Sequence, residues 1–166
     1  MLTDLVEIRR LGEKKREENL RFRRHLKTHG ANERRLRRIA EQIEEQIDCT
    51  VCANCCKVAT ARVTERDVER LARRFSVSPQ VFVREYCEES AEEGTILRRT
   101  TEGCVFLDGT SCTVYEDRPA SCQNFPHMVR GPGSLVSRMW EMPDRACYCP
   151  IVYNTLEAFK PETKFR

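Results

Sequence analysis

Between Glu33 and Ile47, apolar residues return at Leu36, Ile39, Ile43 and Ile47, in steps of three and four, among Arg, Glu and Gln. That period puts one apolar stripe on one face of a helix. Glu33 and Arg37 add an i,i+4 ion pair of favourable order. Upstream, Leu2, Leu5, Val6 and Leu11 begin a second stripe, which thins into the charged run LGEKKREENLRFRRHL. Gly30 and Asn32 in THGAN separate the two halves with turn chemistry. Residues 1–48 hold neither cysteine nor proline. They read as two solvated amphipathic helices that pack on each other or on the cysteine-bearing domain. The alternative is a coiled-coil or partner-binding use.

Further on, the pattern alternates between helix and strand. In TERDVERLARRF, Thr64 and Asp67 resemble a capping box with Asp in place of Glu/Gln, and Val68, Leu71 and Phe75 form the buried face. In SPQVFVREYC, Ser78 is a good N-cap and Pro79 fits the first turn, with Val81, Phe82 and Tyr86 facing inward. TILRRT (95–100) and CVFL (104–107) read as strands. Asp108-Gly109 marks a hairpin, and CTVYE reads as the returning strand. RPASCQNFP reads as a helical turn between Pro119 and Pro126, GPG (131–133) as a loop and LVSRMWEM as a strand. CPIVYNTLEAFK reads as a last helix, opened by Pro150 and stopped by Pro161. The expected fold class is mainly α with a small β-hairpin, a cysteine-rich metal-binding domain preceded by N-terminal amphipathic helices. The expected boundaries are a helical extension over 1–48, a metal-binding domain over 49–160 and a tail over 161–166.

Length and charge narrow the function. At 166 residues the chain suits one domain with an appendage. Residues 1–48 carry 13 Lys/Arg against 10 Asp/Glu, and residues 49–166 carry 16 of each, so the net +3 sits on the first segment. The cysteine-bearing part is not a basic patch, which argues against nucleic acid. RFRRHLK as a nucleic-acid arm is disfavoured by its interleaved acidic residues. No stretch approaches the roughly 18–20 apolar residues that span a bilayer. The N-terminus shows no continuous apolar h-region, so the expected compartment is the cytoplasm.

Ten cysteines change the picture most. Five disulfides belong with export, for which no signal is seen. In a reducing compartment, cysteines at two-residue spacing read as metal ligands, ahead of disulfides or inert buried thiols. CTVCANCC overlaps two CxxC half-sites, Cys49–Cys52 and Cys52–Cys55. A CxxC turn lets two thiolates reach one centre, in structural zinc and in iron–sulfur clusters alike. The run matches the start of a bacterial ferredoxin motif, but Cys56 follows at once, before Lys57, and breaks it. Adjacent side chains point in different directions. Cys55 and Cys56 therefore do not easily serve one ion, and a disulfide between them would be strained. Either they serve different metals, or a cluster offers several irons, or one is structural.

CTVCANCC, VTERDVERL and GCVFLDGTSCTVYEDRPASCQNFP together resemble the YkgJ-type cysteine-cluster family, a zinc- or iron-chelating CxxCxxCC domain. The resemblance covers roughly 49–126 and extends towards 160. Gln123 stands where the family often has Arg. The resemblance implies metal ligands at Cys49, Cys52, Cys55, Cys56, Cys104, Cys112 and Cys122. Cys147 or Cys149 could supply an eighth, with Cys149 favoured for its place beside Pro150. Cys87 has no partner at metal spacing and reads as a buried thiol. Asp67 reads as a first-turn helix residue or an acceptor behind a ligand. Arg118 pairs with Glu116, Asp117 or a carbonyl, or offsets thiolate charge. His127 reads as structural, and His25 and His29 as solvated.

The expected function is a metal-binding protein holding an iron–sulfur cluster or zinc. Two alternatives stand beside it. One is an enzyme similar to flagellin lysine methylases, relatives implied by the resemblance; no glycine-rich cofactor loop supports it, and the balance lies against catalysis. The other is a metal-folded adaptor whose N-terminal helices bind a protein partner.

Overall fold

Asp4 opens the first helix by accepting the Glu7 N–H at 2.8 Å. The computed structural model describes residues 1–165. Helix α1 (Leu5–His29) ends at Gly30, whose φ of 79° few side chains tolerate. The Asn32 side chain then caps α2 (Glu33–Glu44). Single turns α3 (Cys49–Cys52) and α4 (Asn54–Val58) come after it. Thr64 and Asp67 make both bonds of a capping box at the start of α5 (Glu65–Phe75). Ser78 caps α6 (Pro79–Tyr86), with Pro79 in its first turn. Three antiparallel pairs come next: β1 (Cys87–Ser90) with β2 (Gly94–Leu97), β3 (Arg99–Thr100) with β4 (Gly103–Cys104), and β5 (Leu107–Asp108) with β6 (Ser111–Cys112). Helices α7 (Ala120–Asn124), α8 (Leu135–Arg138), α9 (Met142–Arg145) and α10 (Pro150–Phe159) complete the chain. The fold is mainly α with small hairpins. None of its helices, among the described residues, is long and apolar enough to cross a membrane.

Two compact units divide the chain. The first joins residues 1–48 to those from Phe125 onward and is helix packed on helix. Phe22, Leu36, Met139, Ile151 and Phe159 are among its buried residues, and Phe22 meets Phe159 edge-on at 6.1 Å. Each such side chain contributes about 1.5–3 kcal/mol of burial. Gly12 lets α1 pass close to the end of α9: a Cβ there would stand 2.5 Å from the Ala146 carbonyl oxygen. Lys160, only 8% exposed, is neutralised by Glu18 and Glu157, each at 2.5 Å.

The second unit spans Cys49–Asn124. Phe75, Phe82, Tyr86 and Phe106 form its aromatic pile, with centroids 5.0–6.3 Å apart. Val68, Leu71, Leu97 and Val114 close around it. The segment after α4 is tied to β2 by Val63 N–H to the Thr95 carbonyl and Leu97 N–H to the Ala61 carbonyl, at 3.0 and 2.8 Å. The metal-binding domain expected over 49–160 thus runs past the end of this unit.

Several local expectations are corrected. LVSRMWEM is not a strand: Leu135–Arg138 forms the single turn α8, capped by Ser134, and Met142 opens α9, with Leu135, Met139 and Met142 buried at a helical spacing. TILRRT is two strands, split at Arg98. CTVYE is extended only through Cys112 and then turns into a 3-10 turn at Tyr115–Asp117. Val6 is 75% exposed, and Ile8 carries the buried stripe. Glu33, expected to pair with Arg37, instead accepts the Leu135 and Val136 N–H groups at the start of α8.

Candidate metal centre

Ala53 sets the geometry of CTVCANCC. It is buried at φ 46°, ψ 11°, a left-handed residue that turns the chain between α3 and α4. Its N–H donates to the Cys49 carbonyl at 2.9 Å, and Ala59 N–H to the Cys55 carbonyl at 2.8 Å. Both turns then pack on the second cysteine block, α3 on β6 and α4 on β4. Gly103 permits the second contact: a Cβ there would stand 2.5 Å from the Cys56 carbonyl oxygen. Arg99 straps the same junction, donating to the Lys57 carbonyl at 2.6 Å and to the Ala59 carbonyl.

The second block presents its cysteines in a repeated local arrangement. The Phe106 N–H donates to the Cys104 sulfur, and the Val114 N–H donates to the Cys112 sulfur. In each case the donor lies two residues on, and its side chain is buried, Phe106 at 4% exposure and Val114 at 1%. The core thus anchors the N–H that serves the sulfur. Hydrogen bonds of this kind favour a thiolate. Asp108-Gly109 turns the chain back between the two cysteines, in the register Leu107↔Cys112. Arg74 holds the return, donating to the Thr113 carbonyl at 2.9 Å and to Asp117 at 2.8 Å.

Cys122 arrives on α7. The start of that helix is fixed by Asp67, which accepts the Ala120 N–H at 3.1 Å, and by Ser121, which donates to the Arg62 carbonyl at 2.7 Å. Asp67 is therefore more than a first-turn residue of α5: it joins α5 to the helix bearing Cys122. Arg70 pairs with Asp67 at 2.7 Å and donates to the Arg118 carbonyl at 3.0 Å. Arg118 itself lies over the Tyr115 ring at 3.8 Å.

Four of the expected cysteines act on one another electrostatically: Cys56, Cys104, Cys112 and Cys122. They come from α4, β4, β6 and α7. Burial pushes the Cys104 and Cys112 thiols up, and it pushes Cys122 to about 12. Cys56 goes the other way. The Cys55 thiol donates to it, and, against the effect of burial, the Arg118 and Arg99 charges bring it down to about 7. The adjacent pair is thus hydrogen-bonded within the first turn of α4, not splayed apart. Cys49 is exposed and Cys52 half-buried, both on the turn that packs against β6. Among the described residues, no three His, Cys, Asp or Glu side chains already stand close enough to hold an ion.

Soft sulfur donors, a thiolate-prone Cys56, two backbone N–H donors to sulfur and the charges of Arg74, Arg99 and Arg118 all suit zinc or iron, which thiolates bind well. Cys149 belongs to the first unit, where it is 5% exposed, immediately before α10. Cys147 is in the same unit, where its thiol approaches the Pro143 carbonyl at 3.5 Å. Cys87 is buried beside the aromatic pile, and burial pushes its thiol to about 11. His127 also belongs to the first unit; it takes a left-handed φ of 66°, and its carbonyl accepts from Arg138. His25 and His29 stack at 4.4 Å on α1. Spacing alone did not show Arg99, Gly103, Phe106 and Val114 as positioning residues. The hydrophobic residue two places after Cys104, and again after Cys112, was the available signal.

No curated protein and no solved structure matches this chain. Residues 48–150 match a family model described as "CxxCxxCC: Putative zinc- or iron-chelating domain". That span is well over half of the sequence and contains both cysteine blocks, so the chain belongs to the CxxCxxCC family of zinc- or iron-chelating domains.

Proposed function

We propose that the unit Cys49–Asn124 is a thiolate metal centre. Its inner group is Cys56, Cys104, Cys112 and Cys122, and Cys49, Cys52 and Cys55 complete it. One observation carries this reading: α4 packs on β4 and α3 on β6, which brings the first cysteine block onto the second, and there four thiols from four separate elements act on one another beside three arginine charges. Protein alone has little reason to gather half-buried thiols in this way. A metal gives them one, because it binds them as thiolates.

The bound metal would supply cross-linking of the four elements, as zinc, or as an iron–sulfur cluster with electron-transfer capacity as well. The residues do the rest. Ala53 and Gly103 bring the two blocks together, the Phe106 and Val114 N–H groups favour the sulfurs of Cys104 and Cys112 as thiolates, and Asp67 sets Cys122. Loading releases protons from Cys104, Cys112 and Cys122, whose thiols burial keeps protonated.

The test is anaerobic purification of the whole chain, followed by metal analysis, labile sulfide and the visible spectrum. Iron with sulfide and a dithionite-bleached visible band would establish the cluster. Stoichiometric zinc in a colourless, sulfide-free protein would establish the zinc form. A folded protein that carries neither metal and takes up neither on reconstitution would defeat the proposal. The proposal is confined to the seven thiols of this unit. Loss of metal on Cys149→Ser would extend it to an eighth.

A further inference from the structure

We infer that Arg118 is a built-in donor to the metal centre: its buried guanidinium N–H takes a thiolate sulfur of the bound centre as acceptor, and its charge compensates an anionic thiolate shell. This rests on the thiolate centre proposed above.

The Nε of Arg118 is buried and has no hydrogen-bond partner among the described residues. Guanidinium cannot shed its proton, so a buried N–H without an acceptor is costly. Of the neighbouring carboxylates, Asp117 is engaged by Arg74 at 2.8 Å. The Arg118 side chain is held by its face, lying over the Tyr115 ring at 3.8 Å, which fixes the plane and leaves edge donors for another group. The backbone is fixed as well: the Arg118 carbonyl accepts from Arg70 at 3.0 Å and from Gln123 at 2.8 Å. So placed, the charge acts on Cys56 and Cys112.

Arg99 makes the contrast. Its donors are spent on the Lys57 and Ala59 carbonyls, so it works as a strap. Arg118 Nε has no such engagement among the described residues, and its charge acts on the sulfurs of Cys56 and Cys112. Four thiolates around one divalent ion leave a net negative shell, which gives this N–H the acceptor it lacks.

Cobalt(II) is the probe, because thiolate-to-cobalt charge-transfer bands report sulfur ligation. The reduced, metal-free full chain is titrated with Co2+ as wild type and as Arg118→Met, Arg118→Gln and Arg118→Lys. Wild type should bind with thiolate bands. The Met and Gln variants should bind about ten- to a hundredfold more weakly, the range for one charge-assisted hydrogen bond, with the bands displaced. The Lys variant should recover part of the affinity but not the band position, since it restores charge without the planar donor. If affinity falls but the bands stay in place, Arg118 is merely structural and the inference is overturned. Variants equal to wild type in both readouts overturn it too, while leaving the thiolate centre standing. Wild type without thiolate bands would sink the centre and the inference together. If the Met variant loses its helical signal, the Gln variant decides.

Discussion

Asp67 is 2% exposed and accepts four hydrogen bonds: two from Thr64, one from Arg70 and one from Ala120. Burial alone would raise its carboxyl, but these bonds, with the Thr64 backbone and hydroxyl leading, hold it below the usual carboxylate value. A lowered folded value fixes the sign. The stabilisation is complete above about pH 4 and is lost as pH falls through the folded value. Asp67→Asn should cost about 1–3 kcal/mol at neutral pH, because the amide leaves buried donors unpaired. Urea unfolding should show that cost shrinking below pH 4. The local half of this site was legible in the sequence, where Thr64 and Asp67 stand at capping-box spacing. The bond to Ala120 was not, because it joins residues 53 apart. Cys56 gives a second residue-scale test. In metal-free protein its thiol lies at about 7, and that of Cys122 at about 12. Iodoacetamide labelling of Cys56 should therefore climb through neutral pH and level off above it, while Cys122 stays slow, as read by mass spectrometry of the peptides.

At the scale of elements, close approach is set by glycine. Gly103 sits at φ 136°, and a Cβ there would meet the Cys56 carbonyl oxygen at 2.5 Å and the Lys57 Cα at 2.9 Å. Gly103→Ala should strain the backbone by about 1–3 kcal/mol and push α4 off β4. Both the melting temperature and the metal affinity, read by chelator competition, should fall. Gly12→Ala makes the matching control. It crowds the Ala146 carbonyl at 2.5 Å in the first unit, so it should destabilise by about 1–3 kcal/mol and leave metal affinity unchanged. Elements with strong local signals were readable: α6 from Ser78-Pro79, α10 from Pro150, and the turn at Asp108-Gly109. Others were not. β1 reads CEES, with two exposed glutamates and no apolar alternation, and pairing with β2 decides it. LVSRMWEM is the counter-example: Leu135, Met139 and Met142 already stand at helical spacing within it, against the strand reading.

At the scale of the molecule, the two units differ in what can hold them together. The first is a helical core closed by packing between α2 and α10. Its return from Phe125 onward was not legible, because that packing joins segments roughly a hundred residues apart and no local pattern announces it. The second rests on one aromatic pile and three two-stranded pairs, two of them built from strands of two residues. Hairpins that short are marginal alone, so a cross-link among α4, β4, β6 and α7 has most to contribute there. The two cysteine blocks were legible in the sequence. Their meeting was not, because it depends on the Ala53 turn and the Gly103 contact. Differential alkylation of the native full chain, with and without a strong chelator, tests the thiolate centre most directly. Cys49, Cys52, Cys55, Cys56, Cys104, Cys112 and Cys122 should be protected together and released together when metal is removed, with Cys87 and Cys147 unchanged. Labelling of those seven at rates that the chelator does not alter would contradict the centre.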